Sequence, residues 1–189
     1  MVGVAQPVTV DNFLEVASLP KYADCLVELV EGEIVTMPLT NARHGQIVME
    51  LGALLRNYVK PRQLGQLTGA DAGFVLERNP FGRDTIRGLD IAFISRAKAP
   101  EPLPTNFIDF APDLAVEVLS PGNTVEDMEL KISQLLDAGA KLVWIVHPRQ
   151  KRVDVHTLDG MTRLGLGDTL TGGDVLPGFQ VSIADIFAS

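Results

Sequence analysis

Two acidic residues lie where the surrounding pattern calls for buried apolar side chains. Asp90 interrupts Leu89-Asp90-Ile91-Ala92-Phe93-Ile94, and Glu117 interrupts Leu114-Ala115-Val116-Glu117-Val118-Leu119. Taking a carboxylate out of water costs several kcal/mol unless a partner compensates it, so two of them in two core strands call for a common cause. A divalent cation held between them is one: oxygen ligands from two or more carboxylates, plus waters, suit Mg²⁺ or Mn²⁺. Lys131 is the third residue of interest. It lies about two turns into a helix that begins just beyond the Glu117 strand, and its long stem can bring an ammonium back to the strand ends. Two carboxylates, a hard cation and one lysine can hydrolyse a phosphodiester, the cation activating water and the ammonium stabilising the developing anion. On these residues alone a plainer arrangement stays open. Strand alternation could turn both acids to solvent, and Lys131 could pair with Asp127 at i, i+4 on the helix surface.

The elements that must position these residues follow from hydrophobic periodicity and turn chemistry. A short helix is expected over Asp11–Leu19, capped by Thr9 or Asp11 and stopped by Pro20. Strands follow at Leu26–Val30 and Glu33–Met37, joined through Glu31-Gly32, where glycine supplies a positive φ. Ile47, Leu51, Leu54, Leu55 and Tyr58 form one apolar stripe and predict a helix over Ala42–Val59, ended by Pro61. Further strands are expected at Gly65–Gly69, Ala72–Leu76 and Ile86–Ile94, the first two bridged by Ala70-Asp71. The span Ala97–Pro112 holds four of the twelve prolines and reads as irregular. The Glu117 strand, Asp113–Leu119, leads through Ser120-Pro121-Gly122-Asn123 into a second long helix, Thr124–Ala138. Thr124 and Asp127 at its start resemble a capping box, and Gly139 follows its end. Strands at Leu142–Val146 and Arg152–Thr157 and short C-terminal β segments complete the order. The expected architecture is α/β: a central mixed β-sheet flanked by helices, with an additional N-terminal hairpin and C-terminal β segments.

Composition narrows the possibilities. The chain has 189 residues, 46% of them hydrophobic and 21% charged, and a formal net charge of −8. Such a length and balance suit one globular domain spanning 1–189. The acidity argues against a protein that coats nucleic acid by charge alone. One cysteine, Cys25, excludes an internal disulfide and a multi-thiolate zinc site, and its strand-like context suggests a small core residue. His44, His147 and His156 lack zinc-ligand spacing, and no phosphate loop, dinucleotide fingerprint or nucleophile elbow is present. Trp144 lies among apolar neighbours and is expected in the core. Arg149, Lys151 and Arg152 form a basic turn that is either solvated or in touch with a phosphate backbone. No apolar run approaches membrane-spanning length, and the first cation is Lys21, so no membrane association and a cytoplasmic location are expected.

Several segments together resemble a known family. Glu28-Leu29-Val30-Glu31-Gly32-Glu33-Ile34, Arg43-His44-Gly45, Leu89-Asp90-Ile91-Ala92-Phe93, Pro112 through Pro121, and Lys131 through Val146 are similar to the Uma-type restriction-endonuclease family, within the PD-(D/E)XK nuclease superfamily. The resemblance runs from about residue 9 to the C-terminus. Its most specific parts are Val116-Glu117-Val118-Leu119-Ser120-Pro121 and the Gly139 to Trp144 segment after the lysine helix. It implies a restriction-endonuclease-like fold and a Mg²⁺- or Mn²⁺-dependent endonuclease cleaving DNA, with Asp90 and Glu117 as metal carboxylates and Lys131 as the catalytic lysine moved onto the helix. Glu28 joins the candidate catalytic residues and His44 the rim of the site. A homodimer is implied by the habit of such nucleases of cutting both strands. The sequence departs from the family pattern at Leu89, where a proline is expected, at Leu135 in place of a tyrosine, and at His147 in place of an aspartate. Leu119 stands where the superfamily's usual lysine would be. Those departures motivate an alternative: a nuclease fold without catalysis that binds DNA or a protein partner.

Overall fold

The computed structural model describes residues 7–23, 25–37, 39–99 and 101–188. The chain order is α1 (Phe13–Ala17), a 3₁₀ turn (Pro20–Tyr22), β1 (Leu26–Val30), β2 (Glu33–Met37), α2 (Ala42–Arg62), β3 (Gly65–Glu77), β4 (Thr85–Ser95), β5 (Leu114–Val118), α3 (Val125–Asp137), β6 (Leu142–His147), β7 (Arg152–Thr157), β8 (Gly160–Leu164), β9 (Thr169–Gly172), β10 (Leu176–Ser182) and α4 (Ile183–Ile186). Eight strands make one mixed sheet in the order β2-β1-β4-β5-β6-β7-β8, with β3 on the other edge of β4, while β9 and β10 form a separate pair. The pairing of β5 with β6 is parallel, and α3 is the crossover between them, as parallel neighbours require. The expected α/β architecture of a mixed sheet flanked by helices is what the chain adopts.

Each central strand buries both faces, which explains why their sequences read as nearly unbroken apolar runs. Leu114, Val116 and Val118 of β5 and Leu142, Trp144 and Val146 of β6 pack with Ile47, Leu51, Leu55 and Val59 of α2. Ala115, Val143 and Ile145 face the other way, onto Met128 and Leu135 of α3. Trp144 is fully buried, as expected, and stacks on Phe179 of β10 with ring centroids 5.9 Å apart.

Four local expectations need correction. The first helix is shorter than Asp11–Leu19: Asn12 turns its side chain back onto the Thr9 amide instead of capping Phe13–Ala17. Pro61 does not end the second helix at Val59 but lies inside its last turn, which closes at Gln63 in the left-handed conformation. Ala70-Asp71 does not bridge two strands. Both residues have positive φ, and they form a bulge within the single strand β3, where the pairing to β4 shifts between Gly69 and Ala72. Cys25 is exposed, just before β1, rather than in the core. The β1–β2 hairpin has the expected bounds, and both Glu31 (φ 50°) and Gly32 (φ 84°) take the positive angles that a two-residue turn of this kind requires.

Candidate active site

The site forms where one edge of β4 passes from one partner strand to another. Ile86 of β4 pairs with Leu29 of β1, while Ile91 to Phe93 pair on the same edge with Val116 to Leu114 of β5. Gly88, between these pairings, has no strand to bond on that edge. Its backbone groups are satisfied by side chains instead: its amide donates to Glu28 Oε1 at 2.9 Å, and its carbonyl accepts from Lys131 Nζ at 2.8 Å. Side chains from β1 and α3 thus close a gap that backbone would otherwise leave unpaired.

Glu117 and Asp90 lie one step beyond the Ile91–Val116 pair, from β5 and β4. Glu117 alternates with Ala115, and Asp90 with Ala92 and Ile94, all members of the cluster that packs on α3. Both acids are buried. The two residues therefore share a face of the sheet, and the solvent-facing alternative does not apply. Lys131 does not sit on the outside of α3 beside Asp127. It is buried on the inner face, and its ammonium meets three oxygens: Glu117 Oε2 at 3.0 Å, Glu28 Oε1 at 3.1 Å and the Gly88 carbonyl. Thr124 sets the start of α3, its hydroxyl accepting from the Asp127 amide.

Glu28 is the second anchor of that ammonium. Its Oε2 accepts from Arg87 Nη1 at 2.8 Å, and the same guanidinium donates from Nε to Gln134 on α3. His44 closes the opposite side. Asn41 caps α2 by accepting from the His44 amide, which fixes the ring so that Nε2 lies 3.1 Å from Asp90 Oδ2. The same Asp90 oxygen accepts the Val118 amide at 2.7 Å. Glu28, His44, Asp71, Asp90, Glu117 and Lys131 line a cavity of about 100 Å³.

The electrostatics divide the acids into two kinds. Burial alone would raise the Glu28 pKa, but Lys131 and Arg87 outweigh it and hold the group below its ordinary value. Glu117 behaves oppositely: burial is the dominant influence, Asp90 and Glu28 add to it, and Lys131 only partly offsets them, so its pKa rises to about 8. Burial would lower Lys131, yet Glu117 and Glu28 overcome it and raise its pKa. His44 is raised by its hydrogen bond with Asp90. Asp71 is raised by partial burial and by Asp90.

A divalent ion is implied by the fold family, and the donor set fits one in a specific respect. Glu117 Oε1 is buried with no hydrogen-bond partner, which is the condition of a carboxylate short of one positive neighbour. No three His, Cys, Asp or Glu side chains cluster as a ready cation cage among the described residues. The pair Asp90 and Glu117 would hold the ion with water or phosphate oxygens completing its shell, as suits Mg²⁺.

All four expected site residues, Glu28, Asp90, Glu117 and Lys131, and also His44, meet at this one place. His147 does not: it lies at the end of β6, its Nε2 3.1 Å from Asp154 Oδ2. Two further residues of the site are not among those expected from the sequence. Arg87 carries the same signal as Asp90, a charge inside a buried strand. Asp71 is hidden by the turn-like look of Ala70-Asp71, although a bulge is what aims it at the cavity.

Comparison with known proteins bears on the family and the fold. The sequence model of the Uma2 family, described as "Putative restriction endonuclease", matches residues 11–184. Among solved structures, the chain is similar to a "putative nuclease belonging to DUF820" from Anabaena variabilis, with 22% identity and a TM-score of 0.81, over 96% of this chain and 98% of that one. At that identity the likeness speaks for the fold. No curated protein matches the sequence.

Proposed function

Since the chain belongs to the Uma2 family of restriction-endonuclease-like proteins, we propose that it is a Mg²⁺-dependent endonuclease that hydrolyses DNA phosphodiester bonds. The observation that carries this is the pairing of Glu117 with Lys131 at 3.0 Å while the other Glu117 oxygen stays buried and unpartnered. Asp90 and Glu117 are the carboxylates that would hold the ion, Mg²⁺ or Mn²⁺, which when bound supplies a Lewis acid for the phosphate and an acidified water. Lys131 keeps its proton, because Glu28, held ionised beside Arg87, faces it together with Glu117 and the Gly88 carbonyl, and presents a fixed positive charge to the anion that develops on phosphorus. Glu28 is a positioning residue: held by Arg87, it sets where the ammonium stands. His44 orients the Asp90 carboxylate. A homodimer of single-domain subunits in the cytoplasm belongs to the same reading.

A second reading, a nuclease fold that binds DNA or protein without cutting, is favoured by one observation. All three protons of Lys131 already face oxygens of the protein itself, so the ammonium reaches a substrate only by releasing one of them. Supercoiled plasmid incubated with Mg²⁺ or with EDTA separates the two. The endonuclease reading expects nicking in Mg²⁺ alone, lowered about 100-fold or more in Lys131→Met and Glu117→Gln. Absence of nicking by the wild-type protein with Mg²⁺ and with Mn²⁺ leaves the binding module.

A further inference from the structure

A groove runs from the site along the outside of α2. At its near end it is lined by His44, Asp71 and Asp90, and at its far end by Arg56 and Leu67, with a volume of about 620 Å³. A second cavity begins at the same Arg56 and Leu67 and continues to Lys60 and Arg96. We propose that this α2–β3 groove carries the DNA strand that flanks the cleavage position, with Arg56, Lys60 and Arg96 holding its phosphates. The proposal rests on the nuclease reading for the identity of the strand.

Charge is the first support. The chain carries −8, yet α2 holds Arg43, Arg56, Lys60 and Arg62 against Glu50 alone. A cationic helix in an acidic protein concentrates positive potential where it sits, and a polyanion is the ligand such a patch favours. Arg56 and Lys60 are four positions apart, on one side of the helix, and both are exposed. Arg96, exposed at the end of β4, faces them across the cavity, with Gln63 at 3.4 Å as a weak partner.

Geometry is the second. From His44 to Arg56 the helix advances twelve positions, about 18 Å. That is roughly five nucleotide steps at about 3.4 Å each along a duplex strand. The wall between the two ends is Gly45, Val48, Met49, Gly52 and Ala53. An added Cβ at Gly45 would meet nothing within 4 Å, so the near end is open to a backbone. Phosphates bound at the cationic end would hold the strand in register while the carboxylates, which repel it, are left for the cation to neutralise. Glu101 lies at the edge of the far cavity and opposes the three cations without balancing them.

The test is a fluorescence-anisotropy titration of labelled duplex DNA in EDTA, where nothing is cut, over a series of salt concentrations. It compares the wild-type protein, the triple variant Arg56→Gln, Lys60→Gln, Arg96→Gln, and a control, Arg149→Gln with Lys151→Gln, that removes two exposed cations from the β6–β7 turn. The slope of log affinity against log salt should become shallower by about one for each phosphate that is no longer neutralised, close to three in the triple variant, and stay unchanged in the control. Affinity at about 0.1 M salt should fall roughly tenfold for each of the three cations removed. Equal slopes in the wild type and triple variant, an equal weakening in the control, or no DNA binding by the wild type overturns the proposal. A triple variant that leaves the slope unchanged and instead converts a dimer to a monomer on sedimentation assigns the groove to a second copy and also overturns it. Failure of catalysis is read separately, from plasmid nicking: groove-dependent binding without nicking leaves this inference standing and removes the endonuclease.

Discussion

Glu28 Oε1 lies 3.1 Å from Lys131 Nζ, joining β1 to α3 between residues 103 positions apart in the chain. The hairpin that opens the domain and the helix after the Glu117 strand thus meet in one buried ion pair, extended by Arg87. Removing one member of such a network strands the others away from water, at a cost of about 3–5 kcal/mol. Glu28→Gln is therefore expected to lower the melting temperature by roughly 6–20 °C, at about 2–4 °C per kcal/mol for a chain of this size. Differential scanning calorimetry measures it. A shift smaller than about 2 °C would show that Glu28 holds neither cation.

Glu117 predicts a stability that falls as pH rises. Its folded pKa of about 8 stands above the ordinary value of 4.5, so between those values the folded state binds more protons than the unfolded one, and stability declines with increasing pH. Glu117→Gln removes the titration. Its melting temperature relative to the wild type should therefore climb between about pH 4.5 and pH 8 and level off beyond. A difference that is flat across that window would mean that Glu117 stays ionised in the folded protein.

His44 carries a linkage set by a partner rather than by burial. The Asp90 hydrogen bond raises its pKa above 6.5, so the stability it contributes is fully present below pH 6.5 and is lost as pH rises through the raised value. His44→Gln should cost more at pH 5.5 than at pH 8.5, and the His44 ring protons should titrate above the ordinary histidine range by NMR. Equal costs at the two pH values would contradict a charged His44–Asp90 pair.

Thr124 holds the start of the helix that presents Lys131. Its hydroxyl accepts from the Asp127 amide and donates to the Asp127 carboxylate. Thr124→Ala is expected to cost about 1 kcal/mol, read as a fall of about 2–4 °C in melting temperature, and Thr124→Ser should restore most of it. A neutral Thr124→Ala would mean that packing of Met128 and Leu135 alone sets this end of α3.

The site residues are legible in the sequence because burial makes charge conspicuous. Asp90 and Glu117 each interrupt an apolar strand, and no surface strand would need explaining in that way. Lys131 is harder: i, i+4 spacing from Asp127 offers a plain surface partner, and only the fold shows that the inner face of α3 covers the gap beside Gly88. The β1–β2 hairpin can be placed from Glu31-Gly32 because a tight turn demands positive φ at both positions. The bulge at Ala70-Asp71 uses the same backbone geometry inside a strand, so local chemistry cannot distinguish it from a turn; the pairing with β4 decides. Pro61 misleads for a related reason. A proline's ring crowds the turn before it and its missing amide removes one helix bond, yet these costs fall on a single turn and do not stop α2, which runs one residue past Pro61. Arg87 needs its partner Glu28, from a strand nearly sixty positions away, before its burial makes sense.

Asp90 and Glu117 together are expected to hold a hard divalent cation beside Lys131. Isothermal titration calorimetry of Mg²⁺ and Mn²⁺ into the wild-type protein and into Asp90→Asn with Glu117→Gln reads that binding. Saturable binding is predicted in the wild type and not in the double variant. Because burial raises the Glu117 pKa to about 8, binding at neutral pH is expected to release a proton as well, so the measured heat should change with the ionisation enthalpy of the buffer. A wild-type protein that takes up both ions no better than the double variant would mean that the two acids hold no cation.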